Sequence, residues 1–123
     1  VGRGAGGGLL SRIYKILTRG EWAAAQAAGA YEGSAVDHAD GFIHFSTAAQ
    51  AQETARRYFA GQGDLVVVAF ETDDLGPALV WEPSRGGALF PHLHGALPTR
   101  LALDVTEAPL AADGTPDVGE LAP

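Results

Sequence analysis

The chain has 123 residues, and its 8 Lys and Arg against 15 Asp and Glu leave a net charge of −7 at pH 7. That length fits one domain of ordinary size, and a hydrophobic fraction of 46% excludes wholesale disorder. The acidity rules out the basic stripe of a general nucleic-acid binder, no apolar run reaches the ~18 residues of a membrane span, and the absence of Cys removes disulfides, thiolate metal sites and a Cys nucleophile.

Residues 1–11 are Gly-rich and read as a flexible leader, because dense glycine loses much backbone entropy on ordering. The leader lacks the apolar stretch of a signal peptide, so a cytoplasmic protein is expected. Its glycines follow no strand and open no helix, which excludes a dinucleotide fingerprint. Ile13-Tyr-Lys-Ile-Leu17 reads as the first strand. Thr18 with Glu21 forms a capping-box signature for a helix over 19–28, stopped at Gly29. Tyr31 to Asp40 reads as a polar loop, closed by the turn pair Asp40-Gly41. A strand follows at 42–46, and Thr47 with Gln50 opens a second helix over 47–60, with Ala51, Ala55, Tyr58 and Phe59 on one face.

Leu65 to Phe70 is the most continuous apolar run and belongs at the centre of a sheet, in a strand over 65–71. Strands at 79–82, 90–94 and 101–105 complete the set, with Pro83-Ser-Arg-Gly-Gly87 as a loop. Strands before and after two short helices predict a single compact α+β domain over 12–106. Its expected core contains Ile16, Ile43, Phe45, Val66, Val68 and Leu103, with Trp81 a core residue in preference to a stacking platform. Residues 107–123 form an acidic tail whose three prolines predict an extended or disordered surface segment.

Two segments combine polar groups with strand ends and turns. In Asp40-Gly-Phe-Ile-His-Phe-Ser-Thr47, strand alternation puts Ile43 and Phe45 on the core face and His44 and Ser46 on the other. The helix that begins there offers free N–H groups to an anion; alternatively Ser46 or Thr47 merely caps it and His44 is structural. In Trp81 to His94, Arg85 sits in a glycine-bearing turn, where its forked cation suits a phosphate or pairs with Glu82. His92 and His94 match half of a metal site that needs His44 or Glu82 as a third ligand. Pro91 disrupts regular pairing beside them and no third ligand is clearly placed, so no stoichiometric metal is expected. His38 reads as exposed, and neither a G-x-S-x-G elbow nor a P-loop is present.

Together, Ile13-Tyr-Lys-Ile16, Trp22, Asp40 to Thr47, Trp81 to Gly87 and Phe90-Pro-His92 resemble the DUF952 family of small bacterial proteins of unknown function. That family is in turn similar to the ADP-ribosyltransferase superfamily. The resemblance implies split, mostly antiparallel β-sheets with two short helices around a nucleotide cleft. It implies a small transferase using NAD or another nucleotide as substrate, no tightly bound cofactor, and a monomer or homodimer. The implied mechanism stabilises an oxocarbenium-like centre as nicotinamide leaves, by positioning instead of a covalent nucleophile.

In this reading His44, Glu82 and His92 are catalytic, while Tyr14, Asp40, Ser46, Thr47, Trp81 and Arg85 bind the ligand. His44, Arg85 and His92 are expected to converge on one concave site. Two departures stand out: the first strand offers Tyr14 and Lys15 where the superfamily uses Arg or His, and no E-x-E pair follows. They favour the alternative of a non-catalytic ligand-binding module in the same cleft. The third reading is a metal-dependent enzyme built on His44, His92 and His94.

Overall fold

The computed structural model describes residues 11–123. In chain order, β1 (Arg12–Thr18) leads into α1 (Arg19–Ala28), β2 (Ala30–Tyr31), α2 (Ala35–Asp40), β3 (Ile43–His44), β4 (Ser46–Thr47) and α3 (Ala48–Tyr58). Then come β5 (Leu65–Glu71), α4 (Thr72–Leu75), β6 (Leu79–Pro83), β7 (Leu89–Leu93), β8 (Leu97–Pro98) and β9 (Asp104–Glu107). All strand pairs are antiparallel and form three sheets, ordered β4-β1-β5-β9, β3-β7-β6 and β2-β8. The α+β class and the mostly antiparallel sheets match the expectation. The proposed leader lies outside the described residues except for Ser11, whose N–H donates to Glu71 Oε2 at 2.7 Å.

β1 and β5 pair along their whole length, from Arg12 opposite Glu71 to Thr18 opposite Leu65, and both of their faces are covered. On one face Ile13, Leu17, Val66, Val68 and Phe70 pack with Trp22, Tyr31, Ile43, Phe45, Leu93 and Leu97. Trp22 meets Phe70 edge-on at 6.4 Å between ring centroids. On the other face Tyr14, Ile16, Val67 and Ala69 pack with Ala51 and Ala55 of α3 and with Ala108 and Val118. Each large side chain buried this way contributes about 1.5–3 kcal/mol. α1 and α3 start where expected, on complete capping boxes at Thr18/Glu21 and Thr47/Gln50. α3 ends at Tyr58, two residues early.

Several expectations need correction. The polar segment after Tyr31 contains α2, capped reciprocally by Ser34 and Asp37 and ended by Gly41, whose φ of 90° favours glycine. The strand expected over 42–46 is two: His44 pairs with His92 in one sheet, and Ser46 pairs with Tyr14 in another. Leu103 is 47% exposed, because Thr99–Leu101 is a 3-10 turn and β9 begins only at Asp104, on a sheet edge. Trp81 is 40% exposed, because β6 is the edge of its sheet and no strand among the described residues pairs with its outer flank. The acidic tail is no solvent-borne trailer. Ala108, Pro116 and Val118 are buried, Gln52 hydrogen-bonds to Pro116 and Val118, and the Tyr14 hydroxyl donates to the Ala122 carbonyl at 2.5 Å. The tail closes the second face of the large sheet, which α3 alone leaves open.

Candidate active site on the histidine face

The β3-β7-β6 sheet turns Ile43, Leu79 and Leu93 toward the core. Strand alternation sends His44, Val80, Glu82, Phe90 and His92 to the outer face. His44 and His92 are direct cross-strand partners, and their ring centroids lie 5.5 Å apart. Phe42 stacks on His92 at 4.0 Å and lies 4.7 Å from His44 and 5.2 Å from His94. Three imidazoles therefore surround one aromatic ring.

His44 is gripped from both ends. Its Nδ1 lies 2.6 Å from Asp37 Oδ1, and its Nε2 lies 2.8 Å from Asp40 Oδ2. Each ring nitrogen thus faces a carboxylate oxygen, and a neutral imidazole has one N–H to share between them. Asp37 is only 3% exposed, and its oxygens also accept from the Ser34 and His44 backbone N–H groups, the Tyr31 hydroxyl and Lys15. Lys15 Nζ reaches Asp37 Oδ2 at 3.0 Å, Oδ1 at 3.3 Å and the His44 carbonyl at 3.0 Å. Those three acceptors use every proton of an ammonium group.

Burial works to raise the Asp37 carboxyl, but the His44 hydrogen bond and the Lys15 charge win and hold it well below the usual carboxylate range. Burial pushes the Lys15 ammonium down from its ordinary value against the pull of Asp37. The result is a hydrogen-bonded chain that runs from the buried Lys15–Asp37 pair through half-buried His44 to exposed Asp40.

His92 differs. Its ring is buried, and its Nδ1 lies 2.7 Å from Glu82 Oε1, which also receives His94 Nε2 at 3.1 Å. These bonds hold Glu82 below its ordinary value. No partner for His92 Nε2 occurs among the described residues, and no buried side-chain nitrogen or oxygen there goes unpaired. Nε2 must therefore reach solvent. A carboxylate that fixes one nitrogen while the other stays open is the arrangement a proton-transferring histidine needs.

The remaining candidates lie at graded distances from this face. Asp40 and Glu82 belong to it. Arg85 sits over the Phe90 ring at 4.7 Å and donates to Thr54 Oγ1 at 3.4 Å, so its guanidinium lies one side-chain row from His92 and pairs with Thr54, not Glu82. Ser46 Oγ contacts Thr54 Oγ1 at 2.9 Å, facing α3, and Thr47 caps α3. Tyr14 lies on the far face of the large sheet, and Trp81 on the exposed edge. The structure thus joins His44 with His92, sets Arg85 at the rim, and leaves Tyr14 and Trp81 elsewhere. Among the described residues, no group of three or more His, Asp or Glu side chains is placed to hold a metal ion.

Asp37 and Lys15 were not candidates in the sequence. Their available signals were a lone charge inside the apolar run Ile13–Leu17 and the capping-box spacing of Ser34 and Asp37. Two clefts, of about 190 Å³ beside Arg12, Tyr14 and Glu120 and about 270 Å³ beside Glu21 and Tyr31, lie apart from the histidines. No helix among the described residues is long and apolar enough to cross a membrane.

Similarity to known proteins agrees with this fold. The crystal structure of protein CC0527 from Caulobacter crescentus matches with a TM-score of 0.86 at 54% identity, covering 89% of this chain and 96% of that one. The solution NMR structure of CC0527 matches with a TM-score of 0.81 at 54% identity, covering 90% and 97%. No curated protein matches the chain. The model of the family described as "Protein of unknown function (DUF952)" matches residues 16–105, and the chain belongs to that family.

Proposed function

We propose that the histidine face binds an anionic, nucleotide-class ligand and performs acid–base chemistry on it, with transfer from NAD as the leading reaction. The observation that carries this reading is the pair of adjacent imidazoles in different states of restraint. His44 is clamped between carboxylates, while His92 is oriented by Glu82 with Nε2 open. A fixed ring N–H donor beside an open base can bind an anion and receive a proton in one place. The chain holds no basic stripe, so the ligand is a small molecule and not a nucleic acid.

In the transfer, the ribose C1′–nitrogen bond of NAD breaks and nicotinamide departs with the bonding electron pair. The acceptor's oxygen or nitrogen bonds to C1′, and its proton passes to His92 Nε2. His44 supplies a ring N–H and Arg85 positive charge for phosphate. Glu82 acts as a positioning residue for His92.

One observation favours the non-catalytic alternative. Lys15, the first-strand cation, is committed to Asp37 and offers nothing to a dinucleotide. Titrating NAD, ADP-ribose and inorganic phosphate into the wild type, His44→Ala and His92→Ala separates the readings. Nicotinamide release that His92→Ala abolishes supports the enzyme. Saturable ADP-ribose binding without turnover supports the binding module. Binding unaltered in both variants contradicts either use of this face.

A further inference from the structure

The two carboxylates that hold His44 are not equivalent, and the difference suggests how a ligand enters. Asp37 is 3% exposed and receives donors from Lys15, Tyr31, Ser34 and His44. It cannot leave without stranding a buried ammonium. The Asp40 side chain is 50% exposed, sits at the last position of α2, and has His44 Nε2 as its one hydrogen-bond partner among the described residues. Nothing else fixes its carboxylate. An exposed pair of this kind adds little stability, so a solute anion can compete with it.

We propose that Asp40 is a displaceable internal anion: its carboxylate occupies the position on His44 Nε2 that a phosphate or carboxylate of the ligand takes on binding. This inference rests on the proposed function of the histidine face and adds how that site is guarded. His44 keeps Asp37 on Nδ1 throughout, so its ring orientation persists when Nε2 changes partner. The neighbouring groups are compatible with an incoming anion. Phe42 is neutral, His92 presents an open Nε2 5.5 Å away between ring centroids, and Glu82 is turned to His92 and His94. Selectivity follows from the exchange. A neutral ligand gains nothing by evicting Asp40, whereas an anion replaces one charge-assisted hydrogen bond with another and adds its contacts to His92.

The test uses the full chain as wild type, Asp40→Ala and Asp40→Asn, titrated with inorganic phosphate and with ADP-ribose. Side-chain NMR of the His44 and His92 rings is the readout. Because self-occupancy lowers apparent affinity by the fraction of sites left open, freeing Nε2 should tighten phosphate binding by about 3- to 10-fold in Asp40→Ala. The gain should be smaller in Asp40→Asn, whose amide oxygen still accepts from Nε2. In both variants phosphate should move the His44 Nε2 resonance. Asp40 is exposed at a helix end, so both variants should keep wild-type melting temperatures. Equal or weaker phosphate binding in Asp40→Ala overturns the inference while leaving the histidine face as a site. Silence of both rings in the wild type and Asp40→Ala overturns the inference together with the proposed function. Phosphate resonance shifts confined to other residues do the same.

Discussion

Removing the Asp37 carboxylate should be among the most damaging single changes outside the apolar core. In Asp37→Ala the Lys15 ammonium, 6% exposed, loses both carboxylate oxygens and keeps only the His44 carbonyl. The Ser34 N–H, the His44 N–H and the His44 ring lose acceptors in the same step, and α2 keeps only the Ser34 half of its capping box. Breaking a buried ion pair by deleting one partner costs about 3–5 kcal/mol. Against a total stability of about 5–15 kcal/mol, that is about a fifth or more of what holds the fold. For a domain of this size the melting temperature should fall by about 12–20 °C, at about 4 °C per kcal/mol. Thermal and urea unfolding followed by circular dichroism measure both quantities. Lys15→Met/Asp37→Asn should recover part of the loss, since neither partner is then left charged and alone. A loss below about 1 kcal/mol in Asp37→Ala, typical of an exposed pair, would refute the argument that this network is a buried anchor.

The remaining predictions concern acid, the core and the tail. Asp37 has a folded-state pKa held below its unfolded value, so its stabilisation is complete above the unfolded value of about 3.9 and fades as pH falls toward the folded one. Urea titrations should therefore show the wild type converging on Asp37→Asn as pH falls below about 4. Trp22→Ala should cost about 3–5 kcal/mol, whereas Trp81→Ala on the exposed edge should cost about 1 kcal/mol or less by the same assay. Deleting residues 116–123 removes buried Pro116 and Val118 and the Tyr14–Ala122 bond; it should cost about 3–6 kcal/mol, seen as a lower urea midpoint.

The elements that sequence makes visible are those whose signals are local and complete. Thr18/Glu21 and Thr47/Gln50 give the starts of α1 and α3 because a capping box is written within four residues. Leu65 to Glu71 shows its central place by having no polar face to expose. α2 escapes notice because six residues barely exceed a helix nucleus, and its capping partner is Asp37 where Glu or Gln is the usual choice. Leu103 misleads because the strand whose alternation it fits begins only at Asp104, and Trp81 because the sequence does not show which strand lies at a sheet edge.

The site divides in the same way. His44 and His92 can be assigned to one side of their strands by alternation, yet their adjacency depends on β3 pairing with β7 nearly fifty residues later. Asp37 and Lys15 become part of the site only through the return of α2 onto β1, a tertiary event with no short-range signature. Ser46 parts from His44 because the chain changes sheets at Phe45, whose N–H bonds to the Pro91 carbonyl at 3.0 Å.

The central claim is that the histidine face is where this protein meets its ligand. Isotope-labelled full-length chain, titrated with ADP-ribose while the histidine ring and backbone resonances are followed by NMR, tests it most directly. The account predicts saturable shifts at His44 and His92, with smaller ones at Phe42, Glu82 and Arg85, and loss of the His92 response in His44→Ala. Shifts centred on Arg12, Tyr14 and Glu120, in the cleft beneath the C-terminal segment, would place the site on the opposite side of the large sheet and contradict it.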